Sequence, residues 1–305
     1  MIAAHPNVPL GEAAWIDLLD PTPEEVQRVQ DATGLRVPTK HEVSEIESSS
    51  RLGFQNGAYY LSAPLISHVG EGEVALAPVG FVLSARVLLT VHFQDVGVLG
   101  DARLACEKRG ETTAEEAFLR ILEAVVDRAA DALEHAGGEC DALSRSAFRV
   151  RKSRSDGLHV ALQRIGRIAN KTSQLREELL GVARVAAFVT GSGLQDAPAV
   201  NAGRMKAIRT DIASLAEFET GLSSNVHFVL DATLGFINIE QNDVVKMLTV
   251  ASVAGIPPVI VAGIYGMNFR TMPELSWPLG YPMAIGLIVV TTVIPVLWFK
   301  RRGWL

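Results

Sequence analysis

The chain has 305 residues, a formal net charge of −6 and a mean hydropathy of +0.22. Its acidic balance, with no basic stripe outside short helical segments, argues against a nucleic-acid partner. Its two cysteines, Cys106 and Cys140, lack a Cys-x-x-Cys spacing and read as reduced structural thiols.

Met1 to Leu19 holds no basic segment followed by an apolar core, so no cleaved signal peptide is expected. Trp15 to Leu19 reads as a strand. Thr22 is a candidate N-cap with Pro23 at the first helical position, and Pro38-Thr39 opens a second helix towards Glu47. Phe54 to Ile66 and Val74 to His92 are rich in β-branched and aromatic residues. They are broken at Asn56-Gly57 and at Gly70 to Gly72, and predict antiparallel strands joined by hairpin turns. Asp101 to Lys108 predicts a helix. His41, Glu42 and Glu45 resemble a fragment of a metalloprotease helix motif, but the second His is absent and a solvated helix face is expected.

From Thr113 the apolar period becomes helical. Phe118, Ile121, Leu122, Val125, Val126 and Ala129 mark a helix over 115–149, with Gly137-Gly138 as an interruption. A second helix is expected over 158–189, then a turn through Gly191, Gly193, Asp196 and Pro198. A third runs from about Asn201 to Ile264, on the order of 95 Å at 1.5 Å per residue. No globular core needs that length, so it reads as a stalk leading into a bilayer. Met247 to Ile264 and Met283 to Phe299 carry no charged side chain. Each is roughly 18 residues long, near the minimum for a hydrocarbon core, and together they read as a transmembrane hairpin. Pro257-Pro258 falls inside the first span, where a neighbouring helix can cover the freed carbonyls. Lys246 precedes the first span and Lys300, Arg301 and Arg302 follow the second. That charge bias predicts both termini in the cytoplasm and the link outside.

At the spacing of a helix seam, one face of the first span presents Asn242, Val245, Thr249, Ser252, Ile256, Val259 and Gly263, with Leu248 beside it and Asn268 beyond its end. Small and polar residues also favour ordinary helix–helix packing, which explains this pattern at least as well.

Between the spans lies Tyr265-Gly266-Met267-Asn268-Phe269, then Met272-Pro273-Glu274-Leu275, Trp277 and Gly280-Tyr281-Pro282, with a basic Phe299 to Leu305 tail. These residues resemble the Gly-Met-Asn signature, Met-Pro-Glu-Leu loop and tail of the CorA family of divalent-cation channels. Close resemblance covers roughly 231–305, and Trp15 to Leu18 followed by Pro21-Thr22 is similar to the family's first strand. The resemblance implies a homopentamer: an α+β cytoplasmic domain, a long stalk helix and a two-helix C-terminal transmembrane hairpin, in a bacterial-type inner or plasma membrane. The expected parts are an α+β domain over 1–112 and long cytoplasmic helices over 113–200. The stalk follows over 201–243, a pore-lining span over 244–267, an external loop over 268–281, a second span over 282–299 and a tail over 300–305.

It further implies passage of hydrated Mg²⁺, with Co²⁺ and Ni²⁺ tolerated, down the electrochemical gradient. Gly266, Met267 and Asn268 would form the selectivity filter, and the seam from Asn242 to Gly263 would line the pore. Asp231 would be an acidic residue of the inner pore mouth, and Glu274 would attract cations at the outer loop. Intracellular Mg²⁺ would close the pore, so Mg²⁺ is expected as both transported and regulatory ion, with no organic cofactor. Asp95 and Asp211 are candidate regulatory metal ligands. The family often has Met where this chain has Val245 and Ile256, and Thr where it has Val259. Two other readings compete: a zinc transporter of the same superfamily, possibly proton-driven, and a membrane-tethered cytoplasmic binding or scaffold protein. No Gly-rich phosphate loop, Ser/His/Asp set or zinc-ligand spacing suggests an enzyme.

Overall fold

The computed structural model describes residues 1–5, 8–45, 52–69, 73–108, 113–149, 155–191, 197–267, 272–273 and 277–304. Two compact units emerge: Met1–Arg151 with Val160–Leu230, and Lys152–His159 with Asp231–Leu305.

The first unit carries a six-stranded sheet. Its strands are β1 (Ile2–His5), β2 (Trp15–Leu19), β3 (Leu52–Gln55), β4 (Ala58–Val69), β5 (Glu73–Leu83) and β6 (Leu88–His92), in spatial order β1-β2-β6-β5-β4-β3. The β3–β4 hairpin turns at Asn56 (φ 51°) and Gly57 (φ 75°), the two left-handed residues that a tight hairpin turn demands. β2 and β6 pair in parallel, Trp15 opposite Leu88 through Leu19 opposite His92, while the other pairs are antiparallel. Strand alternation sorts the side chains between two cores. Trp15, Phe81, Leu83 and Leu88 face one, while Ile16, Leu18, Val82, Leu89 and Val91 face the other.

The smaller core is closed by α1 (Pro23–Thr33) through Val29, and by Leu35 and Val37. Thr22 caps α1 as expected: its hydroxyl accepts from the Glu25 amide while the Glu25 carboxylate accepts from the Thr22 amide. Thr39 and Glu42 repeat this box at α2 (Lys40–Ser44). α2 ends at Ser44, with Glu45 extended (φ −61°, ψ 141°), and Glu47 lies outside the described residues. Arg36 pairs with Glu42, and His41 lies 3.2 Å from Glu45 on an exposed face.

The larger core is closed by α3 (Gly97–Glu107), α4 (Ala114–Arg149), α5 (Ser155–Gly191) and the first part of α6 (Ala202–Tyr265). α3 starts four residues before the expected Asp101. α4 runs through Gly137-Gly138 without the expected interruption. The two glycines cost roughly 1 kcal/mol each in propensity, but Leu133, Ala136, Cys140 and Leu143 stay buried on one face across them. Both cysteines are buried and neither forms a disulfide. Arg204 ties α6 to α4 through Glu116 and Glu123, and Arg176 of α5 meets Glu219 of α6 at 3.3 Å. The carboxylates raise the Arg204 pKa further.

α5 packs along the β4 edge of the sheet. Among the described residues, β3 pairs with β4 only from Leu61 to Ala58, and beyond Leu61 no further strand pairs with β4 on this side. Pro64 has no amide to satisfy there. Gly181 lies so close that a Cβ would stand 2.5 Å from Pro64 Cδ. One turn away, the Glu178 carboxylate accepts from the Ile66 amide at 2.7 Å.

In the second unit, α6 continues to Tyr265 with Pro257 and Pro258 inside it, and α7 (Gly280–Arg301) follows. These two helices are long and apolar enough to cross a membrane, and only 6% of the most apolar window of each is buried.

Candidate ion pathway

Residues on α6 repeat their orientation every three to four positions, so the second unit can be read as two faces. Lys246, Ala254, Pro257, Pro258, Val261 and Tyr265 are half-buried and Val250 is buried, all on one stripe. Roughly half a turn round lies the predicted seam. Asn242, Val245, Leu248, Ile256, Val259 and Gly263 are exposed there, while Thr249 and Ser252 are half-buried. Leu248 and Val259 are 67% and 71% exposed.

The polar groups on this face have defined partners. The Thr249 hydroxyl donates to the Val245 carbonyl at 2.8 Å, leaving its oxygen free to accept from outside the helix. At the helix end the Gly266 amide donates to Ala262 O at 2.9 Å and the Met267 amide to Ile264 O at 3.3 Å. A Cβ on Gly266 would stand 2.9 Å from Ala262 O, closer than real Cβ atoms come, so glycine is required for this ending. Met267 is 47% exposed beside it. Asn268 and Glu274 lie outside the described residues. The end of α6 therefore places a helix C-terminus, with its partial negative charge, at Gly266 and Met267.

The remaining acidic candidates are separate. Asp231 is exposed on α6, Asp211 is exposed nearer its start, and Asp95 is exposed between β6 and α3. Asp211 contributes to a negative field at Asp127 of α4. Burial first, then Glu123, Asp131 and Asp211, raise the Asp127 pKa. Asp95 acts on His92 instead. Burial opposes the His92 imidazolium, but the Asp17 hydrogen bond and charge, the Gln94 carbonyl and Asp95 together raise its pKa. Among the described residues, no group of three His, Cys, Asp or Glu side chains within the chain could hold a metal ion.

Two polar sites carry no signal in the motif reading. His92 Nε2 lies 3.1 Å from Asp17 Oδ1, Thr90 Oγ1 donates to the same oxygen, and Trp15 Nε1 donates to Thr90 at 2.9 Å. Glu178 is 4% exposed, and burial pushes its pKa up to about 7 against the Ile66 amide and Arg128. It lines a cavity of about 130 Å³ with Ile66, Arg128, Lys171 and Leu175. Its one available signal is positional: it falls on the apolar face between Leu175, Leu179 and Val182.

The family model described as a CorA-like Mg²⁺ transporter protein matches residues 11–301. The chain belongs to the CorA-like family. A magnesium transport protein CorA from Mannheimia succiniciproducens is 33% identical over 298 residues, 97% of this chain and 93% of that one. Its counterpart from Pasteurella multocida is 31% identical over 306 residues, covering 100% and 96%. The fold is also that of a CorA magnesium transporter from Methanocaldococcus jannaschii, with a TM-score of 0.74 at 20% identity over 95% of this chain and 91% of that one. The CorA-like membership thus covers the sheet, the long helices and both candidate spans.

Proposed function

We propose that the protein is a homopentameric channel that passes hydrated Mg²⁺ through a pore lined by the α6 seam, without covalent chemistry. The observation carrying this reading is the exposed, uncharged face of α6 opposite its half-buried stripe, ending at Gly266 and Met267. Five copies of that face turned inward would place Leu248 and Val259 on the wall of the pore and give their exposure a reason.

Mg²⁺ is small and dehydrates reluctantly. A ring of Asn268 amides and Gly266 carbonyls would bind the outer face of its water shell rather than strip it. Neutral acceptors attract a dication without trapping it, and conduction needs release as well as capture. The same shell admits Co²⁺ and Ni²⁺. Thr249 and Ser252 offer further neutral oxygens. Val245, Leu248 and Ile256 form apolar rings that close by dewetting. Asp231 concentrates cations at the inner mouth, and Glu274 does so outside. An inside-negative potential of 100 mV favours inward movement of a dication by about 4.6 kcal/mol. In this reading 1–243 is cytoplasmic, 244–267 and 282–299 span the membrane, 268–281 is external, and the tail returns to the cytoplasm. Regulatory Mg²⁺ would need donors from two subunits, with Asp211 and Asp95 each supplying one.

The test is dye-reported uptake into proteoliposomes. Wild type takes up Mg²⁺ without a proton gradient, Asn268→Ala loses uptake, and Asp211→Ala resists closure by millimolar internal Mg²⁺. Zn²⁺ uptake driven by a proton gradient, with little Mg²⁺ flux, would replace this reading with a zinc transporter.

A further inference from the structure

The end of α7 is a built structure. Gly303 adopts φ 72°, its amide donates to Lys300 O at 3.2 Å, and the Trp304 amide reaches back to Phe299 O at 3.1 Å. This left-handed helix stop brings the residue after the glycine onto the last helical turn. Accordingly the Trp304 ring stacks on Phe299, with centroids 5.2 Å apart and planes at 29°. The Arg302 guanidinium lies 4.8 Å from the centre of the Trp298 ring. Lys300, Arg301 and Arg302 are all exposed. Among the described residues none of the three meets a carboxylate within ion-pair distance, although carboxylates outnumber Lys and Arg in the chain. Glu274 is the one acidic side chain after Asp243, and in sequence it precedes α7.

Three exposed cations and two half-exposed indoles thus stand at the end of a 22-residue apolar helix. Indoles favour the membrane–water boundary, and long basic side chains there lie level with lipid headgroups. The helix C-terminus offsets only part of the charge.

We propose that Lys300, Arg301 and Arg302, framed by Trp298 and Trp304, bind the phosphate of anionic phospholipid headgroups in the leaflet that meets the end of α7. Arg302 is the selective member, since stacking on Trp298 fixes its plane and leaves its N–H donors to reach two phosphate oxygens at once. Lys300 and Arg301 add charge. The site requires α7 to cross a bilayer, but it does not depend on ion flux, so it can fail while the channel reading stands.

The test reconstitutes the full chain into vesicles of phosphatidylcholine with phosphatidylglycerol, solubilises it gently and counts retained lipids by native mass spectrometry. Each cation near an anionic surface contributes roughly fivefold. Wild type is expected to retain phosphatidylglycerol over phosphatidylcholine by at least about tenfold. Lys300→Gln with Arg301→Gln and Arg302→Gln removes that preference. Arg302→Gln alone leaves the turn intact, because the turn's bonds are backbone bonds, and lowers the preference severalfold. Equal retention of both lipids by wild type would overturn the proposal. So would an unchanged preference in both variants, or loss of the preference on adding inorganic phosphate at constant ionic strength.

Discussion

Glu178 is where one residue's chemistry reaches furthest into the first unit. Its carboxyl is buried between α5 and β4, and its pKa stands at about 7 against an ordinary 4.5. The folded chain therefore holds the proton more tightly than the unfolded one. That stability is fully present below about pH 4.5 and is lost as pH rises through 7, a change on the order of 3 kcal/mol. His92, also raised, adds in the same direction, whereas His5, lowered chiefly by burial, subtracts. We predict a higher thermal unfolding midpoint at pH 6 than at pH 8 for the detergent-solubilised chain. Glu178→Gln, which keeps the shape and removes the charge, should reduce that difference to the residual of the histidines. An undiminished pH dependence in the variant would assign the effect elsewhere. The motif reading passed over Glu178 because nothing marks a buried carboxyl except its place on an apolar face, and the strand it caps is far away in sequence.

Elements show the same division between local and distant information. α1 and α2 were legible because Thr22 with Glu25 and Thr39 with Glu42 are local boxes that cap a helix wherever they occur. The β3–β4 hairpin was legible because Asn56-Gly57 tolerates two left-handed residues. β1 was not, since Ile2 to His5 has no periodic signal and owes its place to pairing with β2. The parallel β2–β6 pairing joins residues more than 70 positions apart, which no window on the chain reveals. α4 outran its Gly137-Gly138 break because packing of its apolar face outweighs propensity. In the candidate pathway, residue order alone marks the α6 seam and the Gly266-Met267 position as candidates, whereas Asp95 and Asp211 come from separate segments and share no spacing that would mark them as one site. The packing of α5 on β4 yields its own prediction. A methyl at Gly181 would meet the rigid Pro64 ring, so Gly181→Ala should destabilise the chain by about 1–3 kcal/mol, read from its denaturation midpoint. Gly166, on the same helix with open space around it, should tolerate alanine with no loss.

At the scale of the whole molecule, a single chain leaves the apolar seam of α6 uncovered, and in the proposed pentamer that seam becomes the wall of the pore. Val259 and Ala254 lie on opposite sides of that helix, and the native thiols Cys106 and Cys140 are buried. The most direct measurement is therefore Mg²⁺ uptake through Val259→Cys and Ala254→Cys channels before and after a charged, water-soluble thiol reagent. If the seam lines the pore, the reagent blocks Val259→Cys and leaves Ala254→Cys conducting. Block of Ala254→Cys, with Val259→Cys unaffected, would contradict the pore assignment.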